Sequence, residues 1–313
     1  MNTRLSVCRK PDALSASEYL EHQYEIPEII EALPLADEPF VSLWQESSGR
    51  AALDFLTDEM KLPAYRWTWE NPGAISVSFA QTLGGKLPVI ATGSHRDFRQ
   101  MEALLSDREE PRDLPLTVNA FAMQARAESI FCHRILLLNR APYSNIPAER
   151  LKLSEDEWLE RSHRLRLRHE CAHYETLRLL GGMRNHALDE ILADALGQIA
   201  AFGSFDAARQ RLFFGLEKGE AVCTGRLFFY CRNIIPEERP KVYRAVDEAL
   251  DAVSEEIAAL IAEGKGEAEL LLSLADKSIA ERIGCSSAWI FSQSAGASSY
   301  AAGLRFWKRR KTQ

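Results

Sequence analysis

The sequence predicts an α+β fold: a small, mainly antiparallel sheet in the N-terminal half, packed on helices, and a helical C-terminal half. Three observations carry this expectation. Residues 74–140 hold short runs of β-branched or alternating residues, a helical pattern then runs from Glu155 to about Leu180, and the chain after Gly203 is again helical. Strands followed by helices is the order of an α+β domain. The chain divides accordingly into a helical or irregular N-terminal region (1–73), a core (74–203) and a helical C-terminal subdomain (204–313).

Residues 1–65 read as helices with proline interruptions: Ser15 to Glu21, Pro27 to Leu33, and Ser48 to Met60 opened by Ser47-Ser48. Tyr65, Trp67 and Trp69 recur at period two, as on one face of a strand, and read as core packing. Ala74–Ala80, Leu87–Ala91, Leu116–Met123 and His133–Asn139 are the expected strands, with Gly84-Gly85 as a hairpin turn and Arg96–Leu105 as a helix among them. The Pro-punctuated stretch from Arg140 to Arg150 is a loop. Ser154-Glu155-Asp156-Glu157 forms a capping box that opens the long helix. On that helix Leu159, Leu165, Ala172, Leu177 and Leu180 are expected to be buried. Arg161, Arg164, Arg166 and Arg168 are expected to face solvent. Ala207–Leu216, Val222–Asn233, Lys241–Glu263 and Glu267–Leu274 are the later helices. Gly264-Lys265-Gly266 lacks the spacing of a phosphate loop. The Ser/Ala/Gly-rich stretch Cys285–Gly303 reads as a close-packed helix or a flexible segment.

Composition narrows the class. A chain of 313 residues with 46% hydrophobic and 27% charged residues is an ordinary soluble globular protein. Its net charge of −7 argues against a broad nucleic-acid surface, and Lys308-Arg309-Arg310-Lys311 reads as a solvated tail. No apolar run reaches the ~18 residues of a membrane span, and the N-terminus lacks the apolar core of a signal peptide. The six cysteines (Cys8, Cys132, Cys171, Cys223, Cys231, Cys285) include no C-x-x-C pair, as expected for reduced, mostly buried thiols in a cytoplasm. No nucleic-acid or membrane partner is expected; oligomeric state leaves no mark on the sequence.

The chemistry lies in Arg168-His169-Glu170-Cys171-Ala172-His173-Tyr174. Positions four apart on a helix are about 400° of rotation apart, so His169 and His173 share a face. Two imidazoles so placed can hold one Zn²⁺, with Glu170 beside it to take a proton from water. Cys171, about 200° from His169, points away from the metal and is expected to pack. Gly181-Gly182 then ends the helix, and Glu190 and Asp194 stand four apart on the next one. Glu190 can complete the metal set as third ligand, and Asp194 can accept the spare N–H of a ligand histidine. Three protein ligands and an open position are the pattern of a catalytic zinc, one per chain. His22, His95, His133 and His163 have no matching partners and read as structural or surface residues.

These residues resemble the gluzincin metallopeptidases, in which H-E-x-x-H is followed on the next helix by Glu-x-x-x-Asp, here Glu190-Ile191-Leu192-Ala193-Asp194. Upstream, Asn119-Ala120-Phe121 is similar to the Asn-Ala-Phe of the thermolysin group's edge strand. The likeness covers roughly residues 115–203. It implies a zincin-like site helix and glutamate helix, a peptide or protein substrate paired to the edge strand, contact between Asn119 and that substrate, and zinc-dependent hydrolysis with Glu170 as general base. It also implies a tyrosine and a downstream histidine as oxyanion donors. No histidine follows His186, so His186, Arg184, Tyr230, Tyr243 and Tyr300 are the candidate substitutes, with a helix-capping role equally open to His186. Two other readings remain. One is a catalytically silent binding or regulatory protein on the same scaffold. The other is a di-iron protein, because Glu170-x-x-His173 also has that spacing.

Overall fold

The computed structural model describes residues 13–28, 30 and 32–284. Cys8, Cys285, Tyr300, the Cys285–Gly303 stretch and the basic cluster at 308–311 lie outside them. The fold is α+β, with one four-stranded sheet followed by a helical half. No helix among the described residues is long and apolar enough to cross a membrane.

Helix α1 (Ala16–Leu20) is opened by a capping box between Ser15 and Glu18. The helix expected from Pro27 to Leu33 does not form at the residues described there. Prolines at 27 and 34 leave too few residues between them for a helix to stand alone, and Pro34 disfavours helical backbone at Leu33. Helices α2 (Val41–Gln45) and α3 (Ala52–Asp58) follow. The latter is shorter than the expected Ser48–Met60 because Gly49 is left-handed (φ +77°) and breaks its start. The aromatic period at 65–69 makes no strand. Residues Ala64–Arg66 form a 3-10 turn, Trp67 and Trp69 pack into the core beneath the sheet, and Tyr65 is 76% exposed.

Strands β1 (Ser76–Thr82) and β2 (Gly85–Thr92) form the expected hairpin, with Gly85 at φ +98°. Helix α4 (His95–Leu105) crosses over, and β3 (Ala120–Gln124) and β4 (Arg134–Asn139) complete the sheet in the order β1-β2-β4-β3. The β2–β4 ladder is parallel and the other two are antiparallel, so the sheet is mixed. Residues 116–118 stay outside β3, since Val118 N–H turns back to the Pro115 carbonyl. β4 shows why its apolar run is unbroken: Ile135 and Leu137 face the core with α3 and α4, while Leu136 and Leu138 face the site helix.

That helix, α5 (Glu155–Leu180), has the expected bounds. Ser154 caps it, three carboxylates lie in its first turn, and Gly181 (φ +71°) ends it. Cys171 and Tyr174 pack on the sheet, as Cys171 was expected to do. Leu165 and Ala172 are buried; Leu159, Leu177 and Leu180 are half-buried. Helix α6 (Ala187–Phe202) lies on α5's other side. Then come α7 (Ala207–Phe214), α8 (Leu227–Tyr230), α9 (Arg239–Ala262), α10 (Glu267–Asp276) and α11 (Ile279–Arg282). Only four residues of the expected Val222–Asn233 helix are helical, because Gly225 is pressed against Gly215: a Cβ on it would lie 2.7 Å from the Phe214 carbonyl oxygen. The N-terminal region is shared between cores. Tyr19, Leu20 and Tyr24 pack with α6, α9 and α10, whereas Trp44, Phe55 and Leu56 pack under the sheet.

Candidate metal centre

Helices α5 and α6 pass one another in opposite directions, with Leu165 opposite Gly197. A Cβ at Gly197 would sit 2.8 Å from the Leu165 carbonyl oxygen, so glycine there lets the two backbones close up. The closeness brings His169, His173 and Glu190 together, all buried, with their ligand atoms within 4.8 Å of one another. The two Nε2 atoms are 3.0 Å apart, and Glu190 oxygens lie 3.7 Å from His169 Nε2 and 3.4 Å from His173 Nε2. Ligands about 2.05 Å from a tetrahedral ion stand about 3.3 Å from each other, so these are the separations of three corners of such a shell.

His169 Nδ1 is 2.8 Å from Asp194 Oδ1, which fixes the proton on that nitrogen and leaves a lone pair on Nε2. His173 has a carboxylate of its own. Asp189 Oδ2 is 3.0 Å from His173 Nδ1, though off the axis of a good hydrogen bond, and neither atom has another partner among the described residues. Two imidazole lone pairs and a carboxylate therefore converge on one buried point. Such a group is repulsive unless a cation or protons lie at its centre.

The charges respond to this crowding. Burial opposes a charge on His173, but Asp189 and Glu190 outweigh it and hold the imidazole pKa well above its ordinary value. Burial likewise opposes ionisation of Glu190 and Asp194. His173, His169 and Arg226 pull Glu190 down, and Arg226 with His169 holds Asp194 far below the usual carboxylate range.

Further residues brace the group. Tyr143 Oη donates to Asp194 Oδ1 and lies 3.0 Å from His169 Nδ1. Gln210 donates to Asp194 Oδ2 at 2.5 Å. One terminal nitrogen of Arg226 donates to the same oxygen, and the other is 3.4 Å from Glu190 Oε2. Tyr24 Oη donates to Asp189 Oδ1 at 2.5 Å. Tyr230 lies beside Glu190; burial first, then the Glu190 charge, pushes its phenol well above the ordinary value. Spacing drew attention to Asp194 and passed over Asp189, although Asp189 adjoins Glu190. Tyr143 and Arg226 come from a loop and from the turn before α8, with no periodicity to mark them.

His169 and Glu170 open on a cleft of about 3150 Å³, with His173 and Glu190 behind them. Glu170 is half-buried, and among the described residues nothing hydrogen-bonds its carboxylate. Across the cleft lies β3, an edge strand. The Asn119 carbonyl accepts from Asn139 N–H at 2.9 Å, so Asn119 and Phe121 turn their backbone toward β4. Ala120 and Ala122 turn theirs to the open edge.

Three expected site residues are used otherwise. Asn119 is 5% exposed, and its amide is committed to the Leu116 carbonyl (2.6 Å) and to Asn139 (2.7 Å), so it pins the strand instead of meeting a substrate. Phe121 stacks on Phe98 at 5.4 Å on the sheet face away from α5. His186 is the N-cap of α6: Nδ1 accepts from Leu188 N–H at 3.0 Å and Nε2 donates to the Tyr19 carbonyl at 2.8 Å. Burial, then the charge of His22, pushes its pKa down to about 3. With both nitrogens engaged it has no donor for an oxyanion. Arg184 is exposed and pairs with His22, whereas Tyr243 and Tyr230 line the cleft.

No curated protein and no solved structure matches the chain. The model of a family described as "Family of unknown function (DUF7005)" matches residues 117–281, more than half of the 313 residues and all three members of the His/His/Glu group, so the chain belongs to that family.

Proposed function

We propose that the chain is a zinc-dependent metallopeptidase of gluzincin type, with one Zn²⁺ held by His169, His173 and Glu190. The supporting observation is the convergence of two Nε2 lone pairs and a carboxylate, at tetrahedral separations, beside a cleft that also holds Glu170. Zinc, when bound there, acts as a Lewis acid and lowers the pKa of water toward neutrality. Glu170, partly exposed and unengaged, takes the proton of the attacking water and passes it to the leaving amine. Asp194 and Asp189 hold the imidazoles in orientation. The free groups of Ala120 and Ala122 can pair with an extended peptide by strand addition. Tyr230 and Arg226, both beside Glu190, are the donors best placed to meet charge developing on the carbonyl oxygen. A peptide or protein substrate and a cytoplasmic location go with this reading; the four cysteines among the described residues are unpaired.

One observation favours the silent-scaffold reading: the Arg226 guanidinium competes with any cation for Glu190. Metal analysis of the purified protein, followed by mass spectrometry of a peptide mixture incubated with it, separates the alternatives. One zinc per chain and cleaved peptides are expected. Zinc without cleavage would put the scaffold first, and two irons per chain would put the di-iron reading first.

A further inference from the structure

Arg166 lies one helical turn before Glu170, so the two side chains are neighbours on α5. The expectation that it faces solvent fails: it is 3% exposed and lines the cleft. Its guanidinium donates to three backbone carbonyls, Asn139 at 3.2 Å, Ala141 at 3.0 Å and Pro142 at 3.2 Å. No carboxylate lies within ion-pair distance of it among the described residues. Arg211, likewise buried, is paired with Asp247 and Asp251. A buried cation with no carboxylate in contact is costly, and the carbonyl dipoles and the more distant Glu170 charge offset only part of that cost. Burial accordingly draws the Arg166 pKa down to about 10.

Two further features surround it. Ser144 lines the same cleft two residues beyond Pro142, held at φ +51°, and its hydroxyl is buried without a partner among the described residues. The cleft lining as a whole carries ten Arg and Lys side chains against five Asp and Glu, although the full chain has 38 against 45. Low-dielectric walls with one excess sign concentrate ligands of the other sign.

We propose that Arg166, with Ser144, forms a carboxylate subsite beside Glu170, so that the cleft selects peptides carrying an anionic group next to the bond to be cut. The peptide part of this rests on the peptidase reading; the anion subsite does not. Three of the five guanidinium N–H groups are used, which leaves two for a carboxylate in charge-assisted hydrogen bonds. The carboxylate is either a chain terminus or an acidic side chain.

Calorimetric titration with short blocked peptides tests it. Acetyl-Ala-Ala-Ala with a free terminus is compared with its amide, and acetyl-Ala-Glu-Ala-amide with acetyl-Ala-Gln-Ala-amide. At least one charged member is expected to bind about ten- to a hundredfold more tightly than its neutral twin. A free-terminus preference indicates trimming from the C-terminal end; a Glu preference indicates cutting beside acidic residues. Arg166→Met, which keeps the unbranched stem, should abolish the preference, and Ser144→Ala should reduce it severalfold. Repeating the titration after chelation removes direct binding of the carboxylate to a metal. The subsite is overturned by equal binding of charged and neutral peptides, by loss of the preference on chelation, or by its survival in Arg166→Met. Should that variant not fold, an unchanged preference in both Ser144→Ala and Arg166→Lys overturns it. A charge preference in a protein that holds no zinc and cuts nothing would leave the subsite standing and remove the peptidase.

Discussion

His169 and His173 sit one turn apart on the same face of α5, yet the two sides of the metal centre are supported very differently. Behind His169, Asp194 is wholly buried and receives hydrogen bonds from Tyr143, Gln210 and Arg226 as well. Behind His173, Asp189 has one good donor among the described residues, Tyr24. The first side is thereby fastened to α7 and to the turn before α8. The second leans on the segment after α1. A repeated pair of residues on one helix need not be a repeated environment; second contacts decide how firmly each ligand is aimed.

The largest expected effects concern the ligands and base common to both sides. His173→Ala should take the protein from one zinc per chain to essentially none, even though its side is the looser one, because two remaining ligands do not make a catalytic site. Full occupancy in that variant, measured by metal analysis after dialysis, would falsify the ligand set. Glu170→Gln should keep its zinc while peptide turnover falls by about 10²–10⁴. A variant that loses metal and turnover together would make Glu170 a ligand and not the base.

The comparison itself is tested by removing each supporting carboxylate. Asp194→Ala should weaken zinc binding by about 100-fold and lower stability by about 3 kcal/mol or more, because Arg226 is left with a buried charge and only the longer contact to Glu190, at 3.4 Å. Asp189→Ala should weaken zinc by nearer tenfold and leave stability less affected. Competition with a chromogenic chelator and urea unfolding supply the two measurements. Equal losses in both variants would erase the asymmetry.

The sequence revealed one side of this centre better than the other. H-E-x-x-H and Glu-x-x-x-Asp are local, helix-periodic signals, so His169, His173, Glu190 and Asp194 were legible, as was the extent of α5. The supports of Asp194 were not, because Tyr143 and Arg226 reach it from 51 and 32 residues away through tertiary packing alone. Arg166 misled for a related reason. Its position among other arginines suggests a solvated stripe, and only the sheet-end carbonyls of residues 139–142 turn it inward. Asn119 shows the reverse failure. The tripeptide matched a motif, but Asn139 on the neighbouring strand occupies the amide that the motif would have offered to substrate.

The smallest effect concerns His186, which caps the helix carrying Glu190 and both supporting carboxylates. Its pKa is pushed from 6.5 down to about 3, chiefly by burial, so the folded protein holds it neutral. A depressed histidine contributes stability that is complete above its unfolded value and is lost as pH falls toward the folded one. At about 1.4 kcal/mol per pH unit, roughly 2 kcal/mol should disappear between pH 6.5 and pH 5. His186→Asn keeps a side-chain acceptor for the Leu188 N–H and removes the titration. With chelator present throughout, so that metal-ligand protonation does not intrude, the wild-type protein should lose about 2 kcal/mol more than the variant over that interval. The same loss in both would mean that acid acts elsewhere, and would take from His186 its role in holding the glutamate helix at its entrance.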